Sequence, residues 1–161
     1  MVIIVTMDKN QGLSRKGQPL VSIPADYRFF QEETKGKIVV MTEEMLNSMP
    51  GGKAVGGRTN YVLTKNPKFK EPNVQPFSNI GDLRKELLKF SSEDIYILGG
   101  QPLFDEFLDD CHEIHATWVD YSYEADSFFP KLDEKVWKIG NKSDEQTYCD
   151  LEYYFIRFLR K

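Results

Sequence analysis

Short runs of β-branched and other apolar residues alternate along this chain with segments whose apolar residues recur at helical spacing. This alternation restricts the fold more than any other feature, because strands joined by helical crossovers assemble into a parallel sheet covered on both faces. Val2 to Met7 reads as a buried strand, and a long polar, glycine-containing loop follows from Asp8 to Ser22. A helix is predicted from Pro24, a residue suited to a first turn, to about Lys35, stopped by Gly36. Lys37 to Met41 forms the second strand, and Thr42 with Glu44 and Met45 opens a short capped helix that stops at Pro50-Gly51-Gly52. Thr59 to Thr64 and Val74 to Phe77 are the next strands. Asn79 caps an amphipathic helix carrying Ile80, Leu83, Leu87 and Leu88 on one face. Ile95 to Leu98 is a strand running into Gly99-Gly100 and a helical stretch from Pro102 to Leu108. Glu113 to Val119 is another strand, and the β-rich stretches Val136 to Ile139 and Tyr148 to Leu159 follow. The order predicts an α/β fold: a mostly parallel central sheet, helices on both faces, and a C-terminal antiparallel hairpin at one edge. In such sheets ligands collect at the carboxyl ends of the strands.

With 161 residues, 40% of them hydrophobic, the chain suits a single domain over residues 1–161 that encloses both a core and a ligand cleft. No window approaches the apolar length of a membrane span, and Met1-Val2-Ile3-Ile4-Val5 lacks the basic start of a signal peptide. A soluble, cytoplasmic protein with no membrane partner is therefore expected, as a monomer. The net charge is −4 and the lysines and arginines are scattered, which argues against nucleic acid as a partner and leaves an anionic small molecule open. Cys111 and Cys149 are too few and too isolated for a disulfide framework or a zinc site, and read as small buried or half-buried residues. His112 and His115 point to opposite faces if both lie on a strand, so no shared metal is expected. The acids Asp105, Glu106, Asp109 and Asp110 read as a solvated helix face, and no serine or cysteine nucleophile has a recognisable partner.

Asp26 is the residue that bears most on function. It is a single acid within Ser22-Ile23-Pro24-Ala25-Asp26-Tyr27-Arg28-Phe29-Phe30, an apolar and aromatic helix start. Such a carboxyl either favours the helix dipole from the surface or handles protons in an apolar pocket. Phe30, four residues on, shares its helix face and can pack on a flat ring held by the acid, or simply on the core.

Asp8-Lys9-Asn10-Gln11-Gly12-Leu13, Gly17, Ile23-Pro24-Ala25-Asp26, Phe30, Thr34, Gly57-Arg58-Thr59-Asn60, Ile97-Leu98-Gly99-Gly100 with Phe104, and Asp126 with Phe129-Pro130 together resemble the dihydrofolate reductase family. Each motif is weak alone; their order and spacing from Met1 to about Pro130 carry the resemblance. It implies reduction of 7,8-dihydrofolate, or a related pterin, to the tetrahydro form with NADPH as cofactor. Asp26 matches the family's acid, which binds the pterin and assists protonation. The resemblance further implies substrate contacts from Ile4, Phe30, Arg58, Leu98 and Thr117. Arg58 would grip the folate α-carboxylate through a two-pronged contact, and Thr117 would support the acid. It also implies cofactor contacts from Leu13, Leu63, Thr64, Lys65, Gly99, Gly100, Gln101 and Phe104, with Lys65 the cation nearest an adenosine 2′-phosphate. No metal is implied.

The resemblance breaks in three places. Thr42-Glu43-Glu44-Met45 stands where the family has Gly-Arg-x-Thr, Pro19-Leu20-Val21 where it has Leu-Pro-Trp, and Ser14 where it has glycine. An exposed acid beside a phosphate costs on the order of 1 kcal/mol, so Glu43 and Glu44 would weaken NADPH binding by ten-fold or more. An alternative consequently stays open: a reductase-like fold that has lost its cofactor and serves as a binding protein.

Overall fold

The computed structural model describes residues 1–161. Twelve strands and four α-helices succeed one another as β1 (Val2–Asp8), β2 (Gly12–Arg15), β3 (Gln18–Pro19), α1 (Pro24–Glu33), β4 (Ile38–Thr42), α2 (Glu43–Asn47), β5 (Thr59–Leu63), β6 (Val74–Phe77), α3 (Ile80–Leu87), β7 (Ile95–Gly99), α4 (Gln101–Phe107), β8 (Glu113–Val119), β9 (Ser127–Phe128), β10 (Trp137–Lys142), β11 (Gln146–Tyr148) and β12 (Leu151–Arg160). The main sheet has nine strands, ordered β10-β12-β8-β1-β7-β4-β5-β6, with β11 paired to β12. From β8 to β6 every neighbouring pair is parallel, whereas β12 runs antiparallel to β8, and β10 antiparallel to β12. The predicted α/β class, its parallel centre and its antiparallel C-terminal edge are all present.

Strand alternation sorts the core onto two faces. Ile3, Val5, Val40 and Ile97 pack with Leu83 and Leu87 of α3 and Leu103, Phe104 and Phe107 of α4. The alternate residues Val39, Met41 and Leu98 pack with Phe30 of α1 and Leu46 of α2. α1 and α2 thus cover one face, while α3 and α4 cover the other.

The helix starts follow their capping chemistry. Thr42 accepts the Met45 N–H at 3.2 Å, and Asn79 accepts the Asp82 N–H at 2.8 Å. α1 stops at Glu33, short of the expected Lys35, because the Thr34 hydroxyl turns back to donate to the Phe30 carbonyl at 2.7 Å, and Gly36 then takes φ 71°.

Four expectations are corrected. The segment from Asp8 to Ser22 is not simply loop: β2 and β3 form a hairpin around Lys16 and Gly17, both at positive φ, and β9 joins them in a second sheet of order β3-β2-β9. The buried Asp8 carboxylate anchors this unit, accepting N–H groups from Asn10 (2.9 Å), Gly12 (2.8 Å) and Tyr123 (2.9 Å). The tail from Tyr148 to Leu159 is likewise not one strand, since Cys149 and Asp150, both at positive φ, turn β11 into β12. Cys149 is exposed rather than buried, while Cys111 is buried as expected. Glu106 and Asp110 do not form a merely solvated face, because Arg84 of α3 pairs with both.

Candidate active site

The cleft arises where the sheet comes apart. β1 pairs with β7 only at Val2–Tyr96 and Ile3–Ile97, whereas on its other side β1 follows β8 all the way to Asp8–Val119. Beyond Ile3 the carboxyl ends of β1 and β7 diverge. The chain also reverses its winding here, since β4 lies on one side of β1 and β8 on the other. Such a switch point is where α/β sheets accept ligands. A cavity of about 390 Å³ opens there, walled by Ile4 and Thr6 of β1, Leu98 and Gly100 of the β7 end, Asp26, Tyr27 and Phe30 of α1, and Met45 and Met49 below. Leu13, Pro19 and Val21 from the second sheet and its exit close one side.

Asp26 projects from the first turn of α1 toward two strands. Thr6 Oγ1 donates to its Oδ2 at 2.7 Å, and Thr117 Oγ1 donates to its Oδ1 at 2.6 Å. Thr6 and Thr117 are register partners on adjacent parallel strands, so their hydroxyls stand side by side beneath the helix. Burial raises the Asp26 pKa above the usual carboxylate range, and the two hydroxyl hydrogen bonds only partly oppose it. The acid is therefore no exposed helix charge. Thr6 was not singled out from the sequence, although it lies two residues from Ile4 on the same strand face.

A second cavity of about 390 Å³ reaches Asp26 from the other side of α1, lined by Phe29, His115, Thr117, Phe155 and Arg157 among others. Burial lowers the His115 pKa, and its ring lies 5.2 Å from that of Phe29. No group of His, Cys, Asp and Glu side chains is arranged to hold a metal.

Of the remaining sequence candidates, Ile4, Leu13, Phe30, Leu98, Gly100 and Phe104 line the first cavity. Thr117 lines the second and touches the first through Asp26. Arg58 stands just outside, its guanidinium 5.9 Å from the centre of the Phe30 ring. Its Nε donates to Thr34 Oγ1 at 3.1 Å, Nη1 to the Gly56 carbonyl at 2.8 Å, and Nη2 to the Gln31 carbonyl. A guanidinium has five N–H groups, so one on each terminal nitrogen remains unspent.

A Cβ at Gly99 would lie 2.8 Å from the Phe104 ring, so that packing requires a glycine there. Gly100 is the one that faces the cleft, its N–H donating to Thr42 Oγ1 at 3.1 Å. Gln101 is committed through Oε1, which accepts the Phe128 N–H at 2.9 Å, and Leu63 packs with the core of the opposite face. At the ends of β4 and β5, the buried Thr64 donates through Oγ1 to Glu43 Oε2 at 2.7 Å, and Lys65 is exposed.

An α/β sheet split at its switch point, with a partly buried acid over an apolar opening, defines a ligand-binding α/β protein with a proton-handling group in its cleft. A family model described as dihydrofolate reductase matches residues 1–160, and the chain belongs to the dihydrofolate reductase family. Similar relatives include the dihydrofolate reductase of Staphylococcus haemolyticus, 27% identical over 95% of this chain and 91% of that one. The dihydrofolate reductase of Haemophilus influenzae is 26% identical over 96% of each chain. A dihydrofolate reductase from Enterococcus faecalis, solved in complex with NADP(H) and RAB-propyl, superposes with a TM-score of 0.81 at 22% identity over 99% of this chain and 95% of that one.

The cleft suits the nicotinamide end of the dinucleotide that the family implies. Gly100 leaves room on the wall, where a Cβ would come no nearer than 3.7 Å to Thr42 Oγ1, and Leu13 and Phe104 add apolar surface beside it. The ends of β4 and β5 carry charges of both signs, Lys65 a cation and Glu43 an acid.

Proposed function

We propose that this chain catalyses the NADPH-dependent reduction of 7,8-dihydrofolate to tetrahydrofolate, acting as a single domain and a monomer in the cytoplasm, with no nucleic-acid or membrane partner. The observation that carries this reading is Asp26: a carboxyl with a raised pKa, held by two threonine hydroxyls, on the wall of an apolar cleft. Reducing a C=N bond takes a hydride on carbon and a proton on nitrogen. NADPH supplies the hydride when bound. Asp26 supplies the local means for the proton, because a carboxyl whose pKa burial raises holds its proton to higher pH than a free one, and can hydrogen-bond the pterin ring and hand a proton toward the ring nitrogen. Phe30 and Leu98 give the ring apolar walls that limit water around the acid. Arg58, with one N–H left on each terminal nitrogen and its carbon skeleton fixed against α1, takes the α-carboxylate of the glutamate tail. Ile4 and Thr117 complete the pterin side; Leu13, Gly100 and Phe104 serve the cofactor.

A second reading, a pterin-binding protein without cofactor, is favoured only by Glu43 and Glu44, neither of which has a cation within 4.0 Å. The loss of reduced-nicotinamide absorbance with dihydrofolate tests both. Turnover supports the reductase, and absence of turnover together with absent NADPH binding refutes it.

A further inference from the structure

The carboxyl ends of β4 and β5 carry a feature that the reduction chemistry leaves unused. Thr64 is buried, and its hydroxyl accepts the Asn66 N–H at 3.1 Å while donating to Glu43 Oε2 at 2.7 Å. The hydroxyl proton is thereby spent on Glu43, and the carboxylate is held in place at the end of the sheet. Its other oxygen has no protein donor, and no lysine, arginine or histidine nitrogen lies within 4.0 Å. Glu44 serves elsewhere: it turns toward the β2–β3 hairpin, where its carboxyl carbon lies 3.6 Å from the point a Cβ on Gly17 would occupy. Glu43, held by Thr64, and the exposed Lys65, next to Thr64 in the chain, thus both stand at the ends of β4 and β5, and neither is in an ion pair.

A fixed carboxylate has acceptors and no proton to offer. It takes a hydrogen bond from a ribose 2′-hydroxyl, and it repels the phosphate that replaces that hydroxyl in NADPH. Lys65 has the opposite preference. Glu43 thereby offsets the cation that selection of a 2′-phosphate needs.

We propose that Glu43 relaxes the cofactor selectivity of this chain, so that NADH binds alongside NADPH with an affinity within about ten-fold of it. The proposal rests on the reductase reading and on the adenosine ribose lying along the ends of β4 and β5. Glu43 is then the residue that sets the NADH-to-NADPH ratio, and Lys65 the residue that keeps NADPH in use.

Calorimetric titration of the whole chain with NADH and with NADPH, without folate, reads this directly. The native chain is expected to give dissociation constants within about ten-fold of each other. Glu43→Gln keeps the hydrogen-bonding shape and removes the charge, so NADPH should bind about ten-fold tighter while NADH changes little. Lys65→Gln should weaken NADPH alone, and serves as the second variant should the first disturb α2. Native selectivity for NADPH of about a hundred-fold or more, or a ratio that neither substitution moves, would overturn the proposal and leave the reductase reading standing. Failure of both nucleotides to saturate the native chain at millimolar concentration would overturn the reductase reading, and this proposal with it.

Discussion

Asp26→Asn separates proton handling from architecture. The replacement keeps one oxygen acceptor, to which Thr6 or Thr117 continues to donate. The other threonine must rotate its hydroxyl to accept from the new amide, a change that costs at most one neutral hydrogen bond, about 0.5–1.5 kcal/mol. Against that stands the removal of a carboxyl whose ionisation burial opposes. The folded-state pKa lies above the ordinary value, so the folded chain holds this proton more tightly than the unfolded chain does. The resulting stability is fully present below the unfolded pKa and is lost as pH rises through the folded one. The variant has no such loss. Its melting temperature should therefore gain on that of the native chain as pH rises across the window between the two pKa values. Turnover should behave in the opposite way. A positioned general acid is worth about 10²–10⁴-fold, or roughly 3–5 kcal/mol of barrier, and the amide variant forfeits it near neutral pH. The native rate should fall with rising pH as the proton leaves, and the variant's residual rate should be nearly flat over the same range. Steady-state NADPH oxidation across pH, alongside thermal melts, measures all of this. Neutral-pH turnover within about three-fold of native in a normally folded variant would refute the assignment.

Thr117→Val removes a donor that lowers the Asp26 pKa, so the pH at which turnover falls should move upward; the carboxyl oxygen left without a donor costs about 1–3 kcal/mol in chemical denaturation. Arg58→Lys keeps the charge and loses the planar fork: KM for dihydrofolate should rise about 10–100-fold, with KM unchanged for a reduced pterin lacking the glutamate tail. An equal rise for both substrates would show that Arg58 acts only on the packing of α1. Gly99→Ala places a methyl group 2.8 Å from the Phe104 ring at φ 113°, and about 2–4 kcal/mol of stability should be lost in urea unfolding.

The parts of the fold that were legible in the sequence are those whose signal is local. Thr42 and Asn79 begin helices because their own side chains accept N–H groups three residues on. Val39 to Met41 and Ile95 to Leu98 read as strands because both their faces are buried. Asp26, Phe30, Leu98 and Gly100 were placed in one cleft through the order of family motifs rather than through any local pattern. What stayed hidden depends on distant pairing. β2 and β3 are short and polar, and they exist because β9, more than a hundred residues later, completes their sheet. Thr6 looks like any strand threonine until β8 sets Thr117 beside it. The positive φ of Cys149 and Asp150 has no strong residue signal, so the final hairpin reads as one strand. Gly99 carries the right residue for a reason that appears only with Phe104 folded over it.

The two ends of the cleft are built by different parts of the sheet, and this bears on how the chain has diverged. Asp26 is set by α1, β1 and β8, to one side of the opening. Glu43, Thr64 and Lys65 belong to α2 and the ends of β4 and β5, on the far side of β7. No hydrogen bond or ion pair joins the two groups; their common wall is β7, through Leu98 and Gly100. A substitution at residue 43 therefore changes the charge met by the adenosine end and leaves the two hydroxyls on Asp26 where they are. An acid in place of the family's arginine is for that reason compatible with an intact proton-handling site. Changes at the two ends should be additive in free energy: Asp26→Asn and Glu43→Gln combined should lower turnover as the first does alone and shift nucleotide preference as the second does alone.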